Sequence, residues 1–120
     1  MKTVIDEKLD YLNTKQYYEG DLTVAGDILS GVNFTVKGNL EVEGLVENVR
    51  IKCYGDVRIK GGFLGQNIGM ISCKGDFFAG YVQNAYIKAN NVIIDNTVSY
   101  SNILALSTNI FIQSLNFLEI

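Results

Sequence analysis

Pairs of apolar residues with one residue between them recur along most of the chain. The first series is Leu22/Val24, Leu40/Val42, Val57/Ile59, Phe77/Ala79, Val92/Ile94 and Ile110/Ile112. Within the repeats a second series follows, namely Phe34/Val36, Ile51/Cys53, Ile71/Cys73, Ile87/Ala89 and Ile103/Ala105. Alternation with a period of two is typical of a β-strand with one buried face. The pattern therefore predicts two short strands in each repeat.

A turn signature, Asp or Asn followed by an apolar residue, precedes each strand of the first series. It stands at Asp21, Asn39, Asp56, Asp76, Asn91 and Asn109. The resulting spacings of 18, 17, 20, 15 and 18 residues are too short for helical repeats and match one turn of a β-solenoid. A third segment between the two strands aligns Val46, Val82 and Val98, which predicts a narrow, triangular or flattened core.

These periods predict an all-β fold, a single-stranded parallel β-helix of about six coils over residues 20–120. The absence of proline agrees with it, because an interior proline would remove a ladder hydrogen bond. In this register Glu41 lies beside Arg58 and Glu43 beside Lys60. Residues 1–19 do not follow the repeat, and we expect an N-terminal cap there, either a strand or a short helix, that covers the open end of the stack.

Composition narrows the function classes. The chain has 120 residues, of which 48% are hydrophobic and 19% charged, as expected for one folded domain. A net charge of −3 opposes nucleic-acid binding, which favours a basic surface. Acids at positions 6, 7 and 10 interrupt any signal peptide, and no segment approaches the roughly 20 apolar residues of a membrane span, so we expect a cytoplasmic protein.

The candidates for chemistry are few. Asp56 and Asp76 occupy the same corner in neighbouring coils, where two carboxylates could share a cation or act as an acid/base pair. The favoured interpretation is structural, because Asp at a corner accepts hydrogen bonds from the N–H groups of its own turn. Cys53 and Cys73 are expected to be buried, reduced thiols, and without histidine a zinc site or an activated thiol is not indicated. We therefore predict no catalytic residue, no metal site and no cofactor.

Two further segments have alternative interpretations. The basic residues Arg50, Lys52, Arg58 and Lys60 could bind an anion, but the glutamates around them favour a solvated surface of mixed charge. The glycine-rich segment 61–69 does not match a phosphate-binding motif, and we predict an outward loop or bulge.

The last residues of the chain are apolar and almost uncharged. Either a further segment follows them, or this end docks against another copy or a partner. The residues predicted for such a self-association edge are Ile110, Phe111, Ile112, Leu115, Phe117 and Leu118.

The order of motifs at 55–65, 71–89 and 98–105 resembles the bacterial flagellar assembly protein A family, over about residues 20–113. The resemblance implies a right-handed parallel β-helix in the bacterial cytoplasm, linked to flagellar assembly or polar organisation through protein partners, with no catalytic residues to transfer. Unlike many members, this chain lacks a long helical segment, and N-N-V at 90–92 replaces a Gly-Asp turn. Bactofilins, which form polymers, and the C-terminal β-helix of the division-site protein MinC have similar repeats.

Three functions therefore remain open. The leading hypothesis is a non-enzymatic scaffold or interaction module. The alternative is a polymer-forming, bactofilin-like cytoskeletal scaffold. A polysaccharide-cleaving enzyme that uses Asp56 and Asp76 is the weakest, because coils of 15 to 20 residues leave little room for a substrate cleft.

Overall fold

The computed structural model is an all-β structure, and it describes the backbone of residues 2–106 and 110–119. Side chains are described for the same residues except Phe111 and those of 113–119. The strands are β1 (Lys2–Ile5), β2 (Tyr17–Tyr18), β3 (Asp21–Val24), β4 (Asn33–Val36), β5 (Leu40–Val42), β6 (Arg50–Cys53), β7 (Val57–Leu64), β8 (Met70–Cys73), β9 (Phe77–Gln83), β10 (Tyr86–Ala89), β11 (Val92–Ala105) and β12 (Ile110–Glu119).

The strands form one parallel sheet that winds around the core. Strands β1, β3, β5, β7, β9 and β11 lie side by side on the odd-strand face, where β12 also pairs with β11. Strands β2, β4, β6, β8 and β10 form the even-strand face, and the C-terminal part of β11 pairs with β10 there. This arrangement confirms the predicted all-β solenoid of about six turns. The handedness of the winding stays a prediction.

The predicted apolar pairs form continuous columns. On the odd-strand face the first column is Leu22, Leu40, Val57, Phe77, Val92 and Ile110. On the even-strand face the matching column is Phe34, Ile51, Ile71, Ile87 and Ile103. All of these side chains are buried except that of Ile110, which packs against the core while partly exposed. The predicted register is therefore confirmed, and residues about one coil apart in sequence become neighbours about 4.8 Å apart.

A third column closes the core between the two faces. It is formed by Leu9, Ile28, Val46, Phe63, Val82 and Val98. Its register confirms the predicted alignment of Val46, Val82 and Val98 and adds Phe63, whose ring centroid lies 6.4 Å from that of Phe77. The core is thus lined from three sides, which explains how such short strands bury their apolar faces.

The prediction of an outward loop over 61–69 is wrong for the first half of the segment. Strand β7 continues to Leu64, and Phe63 is buried in the third column. The glycines are needed for packing here, because a Cβ at Gly62 would overlap the ring of Tyr81. The exposed excursion is confined to residues 66–68, where Gln66 has a φ of 52°, in the left-handed region.

Residues 2–18, predicted to form a cap outside the repeat, make a winding in the same register as the others. Strand β1 pairs with β3, and β2 pairs with β4. Leu9 bridges to Ile28 in the third column, and both Leu9 and Tyr18 are buried. The repeat was not evident in the sequence because the paired positions hold Thr3 and Tyr18 in place of aliphatic residues. Whether this winding acts as a cap stays a prediction.

Of the two predicted charge pairs, one forms an ion pair and the other does not. Lys60 Nζ lies 2.6 Å from Glu43 Oε2, so this pair is confirmed. Glu41 and Arg58 are register partners, as predicted, but the Arg58 guanidinium lies 3.9 Å from the centroid of the Phe78 ring. Arg58 therefore stacks on an aromatic neighbour in the next coil, and no ion pair with Glu41 is found among the described residues.

Candidate functional site

A ladder of side-chain oxygens runs along the corner that precedes the odd-strand face. Asp56 N–H donates to Asn39 Oδ1, and Asp76 N–H donates to Asp56 Oδ1, each over 2.8 Å. The same bond links Asn39 to Asp21 and Asn91 to Asp76. The structural interpretation of these aspartates stands, but the donor was predicted wrongly, since each oxygen accepts an N–H group of the next coil and not of its own turn.

Glycine at the preceding position makes room for the ladder. A Cβ on Gly55 would overlap Asn39 Oδ1, and a Cβ on Gly75 would overlap Asp56 Oδ1. The acceptor oxygen of one coil thus lies directly over the glycine of the next. The Gly-Asp and Gly-Asn pairs therefore link neighbouring coils. The glycine leaves space for the side-chain oxygen of the previous coil, and the backbone N–H of the following residue donates to that oxygen.

This geometry limits what Asp56 and Asp76 can do chemically. One oxygen of each carboxylate is engaged with the next coil, and Asn91 Nδ2 donates a second bond to Asp76 Oδ1 over 2.8 Å. Among the residues that the structure describes, no group of three or more His, Cys, Asp and Glu side chains could hold a metal ion. The corner can stabilise the stack, because one oxygen of each carboxylate accepts a backbone N–H group of the next coil.

Cys53 and Cys73 are neighbours in one even-strand column, and both are free and buried, as predicted. Cys53 Sγ donates to the carbonyl oxygen of Gly38 over 3.1 Å. Burial raises the pKa of Cys53, and burial together with the neighbouring Cys53 raises the pKa of Cys73 to about 12. Since the thiolate is the reactive form, these thiols are poor nucleophiles near neutral pH.

The predicted basic cluster is divided between two faces. Arg58 and Lys60 lie on β7 of the odd-strand face, beside Glu41 and Glu43. This half has the mixed charge that the sequence predicted. Arg50 and Lys52 lie on β6 of the even-strand face, on outward and exposed positions. The cluster seen in the sequence is therefore not one surface.

On the even-strand face, Arg50 and Lys52 are joined by basic residues from other coils. Lys88 shares a column with Lys52, with Ser72 between them. Lys37 and Lys74 lie at the corner after this column, in the coils before and after Tyr54. All five basic side chains are exposed. Sequence reasoning missed this basic face because consecutive members in different coils stand 13 to 22 positions apart. The register that aligned the apolar columns was the signal that could have found it.

Tyr54 lies among three of these lysines. The ammonium groups of Lys37, Lys74 and Lys52 lie 3.9, 4.7 and 5.4 Å from its ring centroid. Such distances allow cation–π attraction. Lys37, followed by Lys52, lowers the pKa of the Tyr54 hydroxyl, which reports a positive local potential.

A family model for the Flagellar Assembly Protein A (FapA) β-solenoid domain matches residues 16–114. The chain belongs to the FapA β-solenoid family. No curated protein and no solved structure is similar enough to the chain to count as a match. The family assignment agrees with the solenoid geometry and with the resemblance seen in the order of the sequence motifs.

The predicted self-association edge of this FapA solenoid lies on β12. Ile110 and Ile112 pair with Val92 and Ile94 of β11 and pack, partly buried, against the core. The other members of the predicted edge have side chains outside the described residues, namely Phe111, Leu115, Phe117 and Leu118. In residues 2–106 and 110–119 of the FapA solenoid there is no helix with the length and apolarity that a membrane span requires.

Proposed function

We propose that this FapA solenoid is a non-enzymatic scaffold or interaction module that serves flagellar assembly or polar organisation through protein–protein contacts in the bacterial cytoplasm. The observation that carries the proposal is the match of the FapA β-solenoid model over residues 16–114. A stacked solenoid offers long, flat faces built from residues of several coils, which suits the recognition of partners. One oxygen of each corner aspartate is engaged in the stack and the two thiols are buried, which supports a role without catalysis.

The proposal is tested by deleting the coding region of this chain from its own flagellated host. We expect fewer or misplaced flagella, counted by electron microscopy, and reduced spreading in soft agar. Complementation with the wild-type chain should restore both. Normal number, position and motility in the deletion strain would overturn the flagellar role.

A double variant, Asp56→Asn with Asp76→Asn, separates scaffolding from catalysis. Asparagine keeps the acceptor oxygen, as Asn39 shows, but removes any carboxylate chemistry. The double variant should restore flagellation as well as the wild type does. A folded double variant that fails to complement would contradict the non-enzymatic role.

The second candidate is a polymer-forming scaffold, and the ends of the stack favour it. Strand β1 pairs along one edge with β3, and β12 pairs along one edge with β11. Ile5 and Ile112 stand at opposite ends of one inward column of the odd-strand face, whose other members are Val24, Val42, Ile59, Ala79 and Ile94. Two copies could therefore stack head to tail and continue the ladder, a heterologous contact that generates filaments when it does not close.

Light scattering after size exclusion, over a range of protein concentrations, tests self-association through these ends. A mass that rises with concentration supports it, and a strict monomer at the highest concentration would remove it. Electron micrographs then distinguish filaments from closed oligomers. Discrete particles at every salt concentration would exclude the polymer.

A further inference from the structure

The even-strand face concentrates positive charge on a protein whose net charge is −3. Its basic residues are Lys37, Arg50, Lys52, Lys74 and Lys88, half of the ten in the chain. No outward position of β4, β6, β8 or β10 holds an Asp or Glu. Two acids lie at its ends: Glu19 directly follows β2 and interacts with Tyr17, and Glu119 of β12 is the register partner of Asn102. The described face is therefore basic, while the remainder of the surface is acidic.

The positive charges have a regular spacing. Lys52 and Lys88 lie two coils apart in one column, and Lys37 and Lys74 lie two coils apart at the adjacent corner. With about 4.8 Å between coils, each pair is separated by about 10 Å along the axis. At this separation of about one Debye length the repulsion between the lysines is weak, while both can attract an anionic partner that lies across them.

Exposed apolar side chains lie next to the basic residues. Met70, Tyr86 and Leu104 are 39%, 40% and 50% exposed, and they line a groove of about 280 Å³. Lys88 borders this groove and also a larger one of about 580 Å³, which Lys52 and Lys74 line as well. Basic and apolar side chains are thus adjacent on this face: Lys88 borders both grooves, and Arg50 is the register partner of Met70.

We propose that the even-strand face binds an acidic segment of a protein partner, with its carboxylates on the five basic side chains and apolar side chains in the groove of Met70, Tyr86 and Leu104. This inference rests on the proposed function for the statement that the chain works through protein contacts. It adds which face binds and what chemistry the partner has.

The charge and the aromatic geometry favour a peptide over a nucleic acid. Lysine ammonium groups lie close to the Tyr54 ring, which makes it less available as a platform on which bases stack. The acidic remainder of the chain repels a long polyanion, whereas a short acidic segment meets only the basic face. An extended peptide points alternate side chains to opposite sides, so its carboxylates can meet the basic side chains while its apolar side chains occupy the groove.

Binding is measured with a short fluorescein-labelled peptide that alternates Glu with Leu and Phe, by fluorescence anisotropy at low and physiological salt. The wild-type chain should bind it, more weakly at higher salt. Lys52→Glu with Lys74→Glu should weaken binding about tenfold or more, because two favourable contacts become repulsive. Leu104→Ser should weaken binding by a smaller factor and leave the salt dependence unchanged.

The matched control is Lys2→Glu with Lys8→Glu, which changes the net charge equally at exposed positions outside the even-strand face. It should change the affinity less than about twofold, because screening weakens charges that are more than about a Debye length away. If Lys52→Glu with Lys74→Glu fails to fold by circular dichroism, Lys37→Glu with Lys88→Glu tests the same face. Equal losses in the face variant and the control would overturn the proposal.

Single-stranded RNA and vesicles that contain phosphatidylglycerol are measured alongside the peptide. Tighter binding of either one, with the same dependence on Lys52 and Lys74, would assign the face to that class and overturn the peptide proposal. Absence of peptide binding by the folded wild type overturns it as well.

Complementation separates the two proposals. If deletion removes flagella and the folded Lys52→Glu with Lys74→Glu variant restores them, the basic face is dispensable and only this inference fails. If deletion has no effect on flagella, the proposed function fails, whatever the peptide measurement shows.

Discussion

The corner residues show how one polar side chain can link two coils. Because the accepted N–H group belongs to the next coil, Asp and Asn are interchangeable as acceptors at this site, and both types occur along the ladder. A second copy of the device lies at Asp27, whose Oδ1 accepts the Leu45 N–H over 2.7 Å. The acceptor oxygen, and not the charge, is what the stack requires.

Substitutions at Asp56 test this statement. Asp56→Ala leaves the Asp76 N–H without its partner and should lower the free energy of unfolding by about 1–2 kcal/mol. Asp56→Asn keeps the acceptor and should stay within about 0.5 kcal/mol of the wild type. Urea unfolding of the three proteins provides the measurement. Equal losses in both variants would mean that the carboxylate charge is needed.

The buried thiol of Cys73 predicts a pH dependence of stability. Its pKa is raised to about 12, so the folded state keeps the neutral thiol while the unfolded state ionises from about pH 9 upward. The free energy of unfolding should be unaffected below about pH 8 and fall as pH rises from about 9 to 12, by at most about 1.4 kcal/mol per pH unit.

The control is Cys73→Ala, because lysine, tyrosine and Cys53 titrate in both proteins while the Cys73 thiol titrates only in the wild type. Urea midpoints measured across this range should fall less steeply for the variant than for the wild type. Parallel curves would show that the thiol does not contribute to the alkaline loss.

At the scale of the element, long strands extend around a corner to complete the core, and β7 is an example. Strand β7 passes from the odd-strand face into the third column and carries Phe63 there. The glycine pair before Phe63 suggested a loop because glycine is frequent in turns. Here Gly62 instead leaves space for the Tyr81 ring, so the strand continues.

Phe63 is therefore expected to be a stability determinant of the third column. Phe63→Ala should lower the free energy of unfolding by about 3–5 kcal/mol, because it opens a cavity among buried neighbours. Ile68→Ala, on the exposed turn of the same coil, is the matched control and should change it by less than about 0.5 kcal/mol. Thermal and urea unfolding check both. A small effect at Phe63 would contradict its place in the core.

The stack of coils sets the behaviour of the whole molecule. Each coil contacts its neighbours along the axis, so stability is close to a sum over coils and the interfaces between them. The N-terminal winding has one such interface, where Leu9 covers Ile28 and the Tyr18 ring lies 5.3 Å from that of Phe34.

Removal of residues 1–19 deletes two buried side chains, those of Leu9 and Tyr18. At about 1.5–3 kcal/mol for each, the free energy of unfolding should fall by about 3–6 kcal/mol. The control is Tyr11→Ala with Leu12→Ala, since both side chains are exposed and belong to the same winding. This variant should stay close to the wild type. A truncated chain as stable as the full one would show that the winding does not cover the core.

The sequence alone determined the solenoid, its register and the structural role of the corners. This was possible because the period of two marks the inward face of each strand and the turn residues mark where each coil begins. Both signals repeat in several coils, so each coil independently supports the same alignment. The N-terminal winding and Phe63 escaped prediction, because Thr3, Tyr18 and Gly62 replace the expected residue types and their fit depends on neighbours in other coils.

Only the tertiary structure decided which charged residues share a surface. Lys52 and Arg58 stand six positions apart in the sequence but belong to different faces, whereas Lys52 and Lys88 are 36 positions apart and share one column. The physical reason is the winding itself. It turns neighbours along the chain away from each other at every corner, and it returns distant residues to the same side one or two coils later.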